Sequence, residues 1–261
     1  MPRVLVTGGT GGLGRELVSR LLRAGHSVRV MSRRERKTGE WPEVEWAQAE
    51  LETDRGLAEA VAGAEIIVHA ASNAAYHTHA IDVEGTRRLI EKAKAAGVGH
   101  FLYVSIVGIE RVPFDYYRHK LAAEAIVAEG GVPWSILRAT QFHTLLDGRL
   151  QAATRGPWPL AVLSTDLKYQ PIDVGETADR LCECVAAGPG GRLPDIGGPK
   201  VLTFGEMAKV WFAARGMRRL ILPYPMHDGF ANAVRRGYLT CPEGKYGKIT
   251  WAEWVKRKYG G

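Results

Sequence analysis

Cysteine is nearly absent: Cys182, Cys184 and Cys241 are the only three in 261 residues. An odd count without regular spacing excludes a disulfide framework and points to free thiols in a reducing compartment. Cys182 and Cys184 lie two apart in a helical pattern and face different directions, which excludes a zinc or redox pair. No run of about eighteen apolar residues is present, so no membrane span is expected. An apolar strand pattern is already under way at Val4 and a glycine turn is reached at Gly8, leaving no signal-peptide geometry. The expected location is therefore cytoplasmic. Internal repeats and low-complexity segments are lacking too.

Charge of a single sign is also missing. Lys and Arg number 35 against 28 Asp and Glu, a formal net charge of +7 spread along the chain. No helix-turn-helix or basic–aromatic pattern accompanies it, so no direct nucleic-acid partner is expected. Lys256, Arg257 and Lys258 read as solvated surface. His77 and His79 read as polar loop residues rather than metal ligands, His69 as a buried, hydrogen-bonded residue, and no metal site is expected.

What is present is the alternation of a globular α/β chain, with 46% hydrophobic and 24% charged residues. The patterns predict strands at Arg3–Thr7, Ser27–Met31, Val44–Gln48, Glu65–Ala70, His100–Ser105 and Trp134–Arg138. Between them fall helices at Gly12–Ala24, after an N-cap at Thr53, at Ala80–Ala96 and at Tyr116–Glu129. Strands alternating with helices of this length imply a Rossmann-type, doubly wound parallel sheet. Residues 1–140 are expected to form that dinucleotide-binding core. Residues 141–261 are expected to form a smaller substrate or partner lobe, interleaved with the core and laid over the strand carboxyl ends. Its helices are predicted at Phe142–Thr154, Gly175–Ala187 and Thr203–Ala214. A last one follows Thr250, with Glu253 completing a capping box.

The most informative stretch runs Thr7-Gly8-Gly9-Thr10-Gly11-Gly12-Leu13-Gly14. Gly8, Gly11 and Gly14 recur every third residue between a strand and a helix. Such a turn brings backbone close to a pyrophosphate and places helix N–H groups against it. At the end of the second strand, where an acidic residue would select NAD, the chain carries Ser32-Arg33-Arg34. A guanidinium there can pair with a 2′-phosphate, so NADP(H) is the expected cofactor.

With these residues the chain resembles the short-chain dehydrogenase/reductase superfamily, in its atypical NmrA-like branch. The likeness rests on Thr7-Gly8-x-x-Gly11-x-x-Gly14, Asp82-Val83-Glu84-Gly85-Thr86, Tyr116-x-x-x-Lys120 and Leu137-Arg138-Ala139-Thr140-Gln141-Phe142. It is strong to about Phe142 and looser beyond. It implies that Glu50 and Leu51 line the adenine. It also implies that Ala70, Ala71 and Ser72 run beside the cofactor, together with Ser105, Ala139, Thr140 and Phe142. Tyr116 would be the proton donor and Lys120 would hold the nicotinamide ribose. Four residues apart on one helix face, the lysine is expected to lower the pKa of the phenol. Tyr117, three from Lys120, offers the same geometry. Phe114, Tyr116, Phe142, His143 and Trp158 are candidates for a substrate pocket.

The resemblance breaks at one place. Its reductases carry Ser or Thr one or two residues beyond the last strand-five serine, and after Ser105 this chain has Ile106 and Val107. Two functions follow. The first is an NADPH-dependent reductase of a small carbonyl, imine or activated double bond. The second is a non-catalytic NADP(H) sensor acting through a protein partner. A nucleotide-sugar isomerase or dehydratase is a third reading, opposed by Arg33 and the absent hydroxyl.

Overall fold

The computed structural model describes residues 2–155 and 160–260. In chain order the first part contains β1 (Arg3–Thr7), α1 (Gly12–Arg23), β2 (Ser27–Ser32), β3 (Glu45–Gln48), α2 (Leu57–Val61) and β4 (Ile66–His69). A π-helical turn at His79–Glu84 leads into α3 (Gly85–Ala95), followed by β5 (His100–Ile106), α4 (Asp115–Glu129) and β6 (Trp134–Ala139). Then come α5 (His143–Ala153), β7 (Leu160–Leu163), β8 (Lys168–Tyr169), α6 (Val174–Ala187) and β9 (Gly191–Arg192). The chain closes with β10 (Leu202–Thr203), α7 (Phe204–Ala214), β11 (Leu220–Pro223), α8 (Gly229–Arg235) and α9 (Trp251–Tyr259). Among the described residues no helix is long and apolar enough to cross a membrane.

The chain divides into two compact units, residues 1–105, 115–137 and 178–193 against 106–114, 138–177 and 194–261. The first is organised by a seven-stranded sheet of order β3-β2-β1-β4-β5-β6-β9. β1 runs parallel to both β2 and β4, with Val6 opposite Val30 on one side and Val68 on the other. Strand order reverses at β1/β4, where sheets of this kind open a crevice at the carboxyl ends. Val4, Leu5, Val6, Ile67 and Val68 are fully buried, because helices cover both faces of a parallel sheet. The seventh strand, β9, is only Gly191–Arg192 and leaves no periodic signal in sequence.

Two local expectations change. Helix α2 begins after Gly56, which adopts φ 72° and makes no side-chain cap. The Thr53 hydroxyl, three residues before that N-cap, donates to Glu50 Oε2 at 3.0 Å. The helix expected from Ala80 starts one residue earlier and runs its first six residues as a π turn.

The second unit holds a two-stranded antiparallel sheet of β8 and β10 and a parallel pair of β7 and β11. Capping boxes start α7 at Thr203/Glu206 and α9 at Thr250/Glu253. Asp147, on α5, ties these helices together. It accepts from Trp211 Nε1, Lys258 Nζ, Tyr259 OH and Gln151 Nε2, each at 2.6 Å. Burial raises the Asp147 pKa, but the bonds from Lys258, Tyr259 and Trp211 outweigh it and hold the carboxyl below the ordinary value. Asp147→Ala is expected to cost about 3 kcal/mol, because it strands a buried indole N–H and a lysine together. Urea unfolding followed by tryptophan fluorescence measures it.

Candidate functional site

Glycine is required at two points of the turn between β1 and α1. Gly8 takes φ 68°, and a Cβ there would lie 2.8 Å from the backbone of Ala71. A Cβ on Gly14 would lie 2.2 Å from the Gly8 carbonyl oxygen, so helix and turn pack only with hydrogen at that position. Gly12 differs: a Cβ on it meets nothing within 4 Å. The N-terminus of α1 has no side-chain cap and no acidic residue in its first turn. Uncapped N–H groups, a positive dipole end and open space beside them fit an anionic pyrophosphate.

This turn forms one wall of a cavity of about 710 Å³, within the usual range for ligand sites. Gly8, Thr10 and Gly11 line it from the turn after β1, and Met31, Ser32, Arg33 and Arg34 from the end of β2 and the residues that follow. Ala49 to Glu52 and Arg55 line it after β3, and Ala70 to Asn73 after β4, with Ile81 from the π turn. Of the residues expected at the cofactor, Gly8, Thr10, Gly11, Ser32, Arg33, Arg34, Glu50, Leu51, Ala70, Ala71 and Ser72 are thus brought together. Thr7, Gly9, Gly12, Leu13, Gly14, Ser105 and Lys120 are not among the walls. Met31, Ala49, Glu52, Arg55, Asn73 and Ile81 went unnamed in the sequence reading, although the rule that ligands sit beyond strand carboxyl ends points to those loops.

The two arginines have different surroundings. Arg34 is clamped by Glu40, with bonds of 2.8 and 2.7 Å to its two oxygens, and its guanidinium lies 5.1 Å over the Trp46 ring. Glu40 also accepts from Arg15 at 3.0 Å, and Arg15 stacks over Trp41. Arg33 is exposed at the cavity wall, and its side chain enters no hydrogen bond or ion pair among the described residues.

Below the cavity a buried relay holds the loops. Thr86 Oγ1 donates to the Asp82 carbonyl at 2.6 Å, so it accepts from His69 Nε2 at 3.0 Å. His69 Nδ1 is then the acceptor for the Thr7 hydroxyl at 2.6 Å, and Thr7 Oγ1 accepts the Ala71 N–H at 3.2 Å. Burial, assisted by the Lys120 charge, pushes the His69 pKa down to about 3 and keeps the ring neutral. Gly85 stands next to Thr86 because a Cβ there would meet Leu51 at 2.7 Å. The Asp82–Thr86 motif is thereby explained as packing and hydrogen bonding beneath the cavity.

Tyr116 OH lies 2.7 Å from Ser72 Oγ, and Ser72 donates to Asp82 Oδ1 at 2.6 Å. Lys120 is buried. It donates to the Val104 carbonyl at 2.9 Å, stands 3.9 Å from Asp82 Oδ1 and sits 4.1 Å over the Tyr103 ring. Burial lowers its pKa to about 8 against the raising effect of Asp82 and Glu124. The expected coupling of lysine to phenol is therefore corrected. Burial and the Asp82 charge raise the Tyr116 pKa well above its ordinary value, outweighing the Ser72 bond. The lysine stands beside Asp82. Ser105 Oγ is buried without a hydrogen-bond partner among the described residues, and Tyr117 is buried with its ring 5.8 Å from that of Tyr116.

The remaining candidates fall elsewhere. His143, expected in a substrate pocket, is fully buried in the second unit, stacked on Trp251 at 5.8 Å and Trp254 at 5.5 Å. Its ring is core, with no open face for a substrate. Phe142 is half-buried and precedes α5, bridging to Ile172; Thr140 Oγ1 donates to the Gln170 carbonyl at 2.5 Å; Ala139 is buried and accepts from the Val107 N–H. Phe114 is 40% exposed and packs edge-on against Phe230 at 5.5 Å. Trp158 lies outside the described residues. His77 Nδ1 lies 2.6 Å from Glu52 Oε1, and the His79 ring stands edge-on to His119 at 5.4 Å.

Comparison with known proteins adds to this geometry. A family model described as NAD(P)H-binding matches residues 8–157. A ceramide reductase of Caulobacter vibrioides is 32% identical over 188 residues, 68% of this chain and 59% of its own length. A chloroplastic divinyl chlorophyllide a 8-vinyl-reductase of Oryza sativa is 27% identical over 247 residues, 85% of this chain and 61% of its own length. The chain thus spans about 60% of the length of these relatives. Among solved structures, an NADPH-dependent quinone oxidoreductase of Escherichia coli, complexed with NADPH, superposes with a TM-score of 0.83. It shares 18% identity and covers 98% of this chain and 99% of its own. At that identity the likeness speaks for the fold.

Proposed function

This chain belongs to the NAD(P)H-binding family, and from that premise we propose that it is an NADPH-dependent reductase of a small carbonyl, imine or activated double bond. The observation that carries the cofactor choice is Arg33, an uncommitted guanidinium on the cavity wall where an NAD site carries an acid. Ser32 and Arg33 would hold the 2′-phosphate, the Gly8–Gly14 turn and the α1 N-terminus the pyrophosphate, and the Glu50–Leu51 side the adenine. NADPH, when bound, supplies the hydride.

Tyr116 would supply the proton. A phenol whose pKa is raised stays protonated at neutral pH, which is the form a reduction needs and an alcohol oxidation does not. Lys120 is kept as the ribose-holding residue. An ammonium has three donors, and the Val104 carbonyl takes one of them at bonding distance. The names of the two relatives, both reductases, support the same direction.

Arg33→Ala is expected to raise the Kd for NADPH about 30-fold, the loss of charge-assisted bonds to one phosphate, while NADH binding stays within about twofold. A fluorescence titration with all four nicotinamide dinucleotides measures it. Wild-type protein that prefers NADH would refute the cofactor assignment. A panel of quinones, aldehydes and enones, read by NADPH consumption, then tests turnover.

The absent hydroxyl at Ile106 and Val107 favours a second reading, a sensor that binds NADP(H) without catalysis. Its mark is no turnover on the panel together with a large difference in affinity between NADPH and NADP⁺.

A further inference from the structure

We propose that Ser72 and Asp82 are the positioning pair of the Tyr116 site, a carboxylate fixing a hydroxyl that in turn holds the Tyr116 phenol oxygen beside the cavity wall. The inference deepens the reductase reading, and its kinetic arm rests on it. Its spectroscopic arm does not.

Proton counting carries the argument. The Ser72 hydroxyl has one proton, and it is donated to Asp82 Oδ1 at 2.6 Å. At 2.7 Å from the phenol, Ser72 Oγ therefore has only lone pairs to offer, and Tyr116 must be the donor. Asp82 cannot reverse the order. Its other oxygen takes the Asn73 N–H at 3.4 Å, and the Lys120 ammonium faces it at 3.9 Å. The chain of bonds has one polarity.

The fold makes this arm rigid. Asp82 is buried in the π turn, a helical form that recurs at functional sites. Gly85 follows it directly, pressed against Leu51. Ser72 belongs both to the cavity wall and to the bond with Tyr116, so it tethers the phenol to the place where the cofactor would lie. β4 and β5 are neighbours in the sheet. A hydroxyl on the loop after β4 thereby reaches the Tyr116 phenol.

The charged and titratable groups around Tyr116 are Asp82 from the π turn, Tyr103 from β5, and Tyr117, Lys120 and Glu124 from α4. Burial, Asp82 and Tyr117 all act to keep the phenol protonated, and the Ser72 bond acts against them. Removing the Asp82 charge while keeping its shape should release the phenol.

The test uses the full chain and two readouts. Tyrosinate absorbance, taken as wild type minus Tyr116→Phe, should show no Tyr116 ionisation below about pH 12; in Asp82→Asn, against Asp82→Asn/Tyr116→Phe, ionisation should appear below that limit. In NADPH-dependent turnover of whichever quinone or aldehyde the panel accepts, Ser72→Ala should lower kcat about tenfold, and Ser72→Thr should restore it. A Tyr116 that stays silent in folded Asp82→Asn overturns the proposal, as does a Ser72→Ala enzyme with wild-type kcat. If Asp82→Asn fails to fold, the Ser72 pair decides. If Tyr116→Phe loses turnover and Ser72→Ala does not, the positioning pair fails and the reductase reading survives. If no substrate turns over, that reading fails and the ionisation of Tyr116 decides the pair alone.

Discussion

Tyr116→Phe is expected to lower kcat for NADPH-dependent reduction by about 10²–10³-fold, with NADPH affinity unchanged within about twofold. The substitution removes one oxygen and leaves Ser72 still donating to Asp82 at 2.6 Å, so the buried network beneath it is not broken. It removes a phenol that touches both that network and, through Ser72, the cavity wall. Because burial and Asp82 keep the phenol protonated, the wild-type rate should show no decline from Tyr116 ionisation between neutral and mildly alkaline pH. Alcohol oxidation, which requires the phenolate, should be slow over the same range. Steady-state rates in both directions from about pH 6 to 10 measure this. An undiminished Tyr116→Phe rate would mean that solvent supplies the proton and that the site does not use its tyrosine.

The second large effect is on stability. His69 is neutral in the folded chain, its pKa pushed down to about 3 by burial and by the Lys120 charge. In the unfolded chain it would titrate near its ordinary value of about 6.5. The unfolded state therefore binds the proton first, and folded stability falls as pH drops through this window. The full cost below both values is up to about 5 kcal/mol, a large part of a typical domain's stability. His143, lowered to about 4 chiefly by burial, acts in the same sense in the second unit, and burial lowers His100 as well. Above about pH 5 most carboxylates are ionised in both states, so the slope there belongs to the histidines. Urea unfolding at a series of pH values should show stability rising from about pH 5 to 7. In His69→Gln the slope should fall by up to about 1.4 kcal/mol per pH unit. An unchanged slope in that variant would mean that His69 is protonated in the folded protein.

Much of the first unit was legible because its signals are local. The β1 and β4 runs are apolar on both faces, the Gly8–Gly14 spacing marks the turn, and Gly97 and Gly131 stop α3 and α4 with positive φ. The capping box at Thr250 and Glu253 was legible for the same reason, since both partners lie within one helical turn. Thr53 misled because the helix begins only after Gly56, three residues further on. β9 was missed because two residues carry no period.

The site itself was legible only in part. Ser72, Arg33 and Tyr116 could be named from their places after β4, after β2 and on α4. Asp82 was visible as part of a motif, but its role depends on Ser72, ten residues away, and on Lys120, thirty-eight away. The approach of Lys120 to Asp82 could not be read from a four-residue spacing. That spacing says two side chains share a helix face, and it is silent on which of them finds a stronger partner across the fold. His143 looked like a pocket residue because it follows the strand-six stretch, and its place beside two tryptophans of α9 depends on a segment more than a hundred residues downstream.

By itself the sequence determined the strand order's parallel character, the phosphate-binding turn and the basic end of β2, since each follows from neighbours within a few residues. Only the tertiary structure decided which proton the tyrosine carries, where the lysine spends its charge and which histidines stay neutral. Those are set by burial and by partners brought from distant segments, and desolvation at 3–4 Å is a property of the packed chain alone.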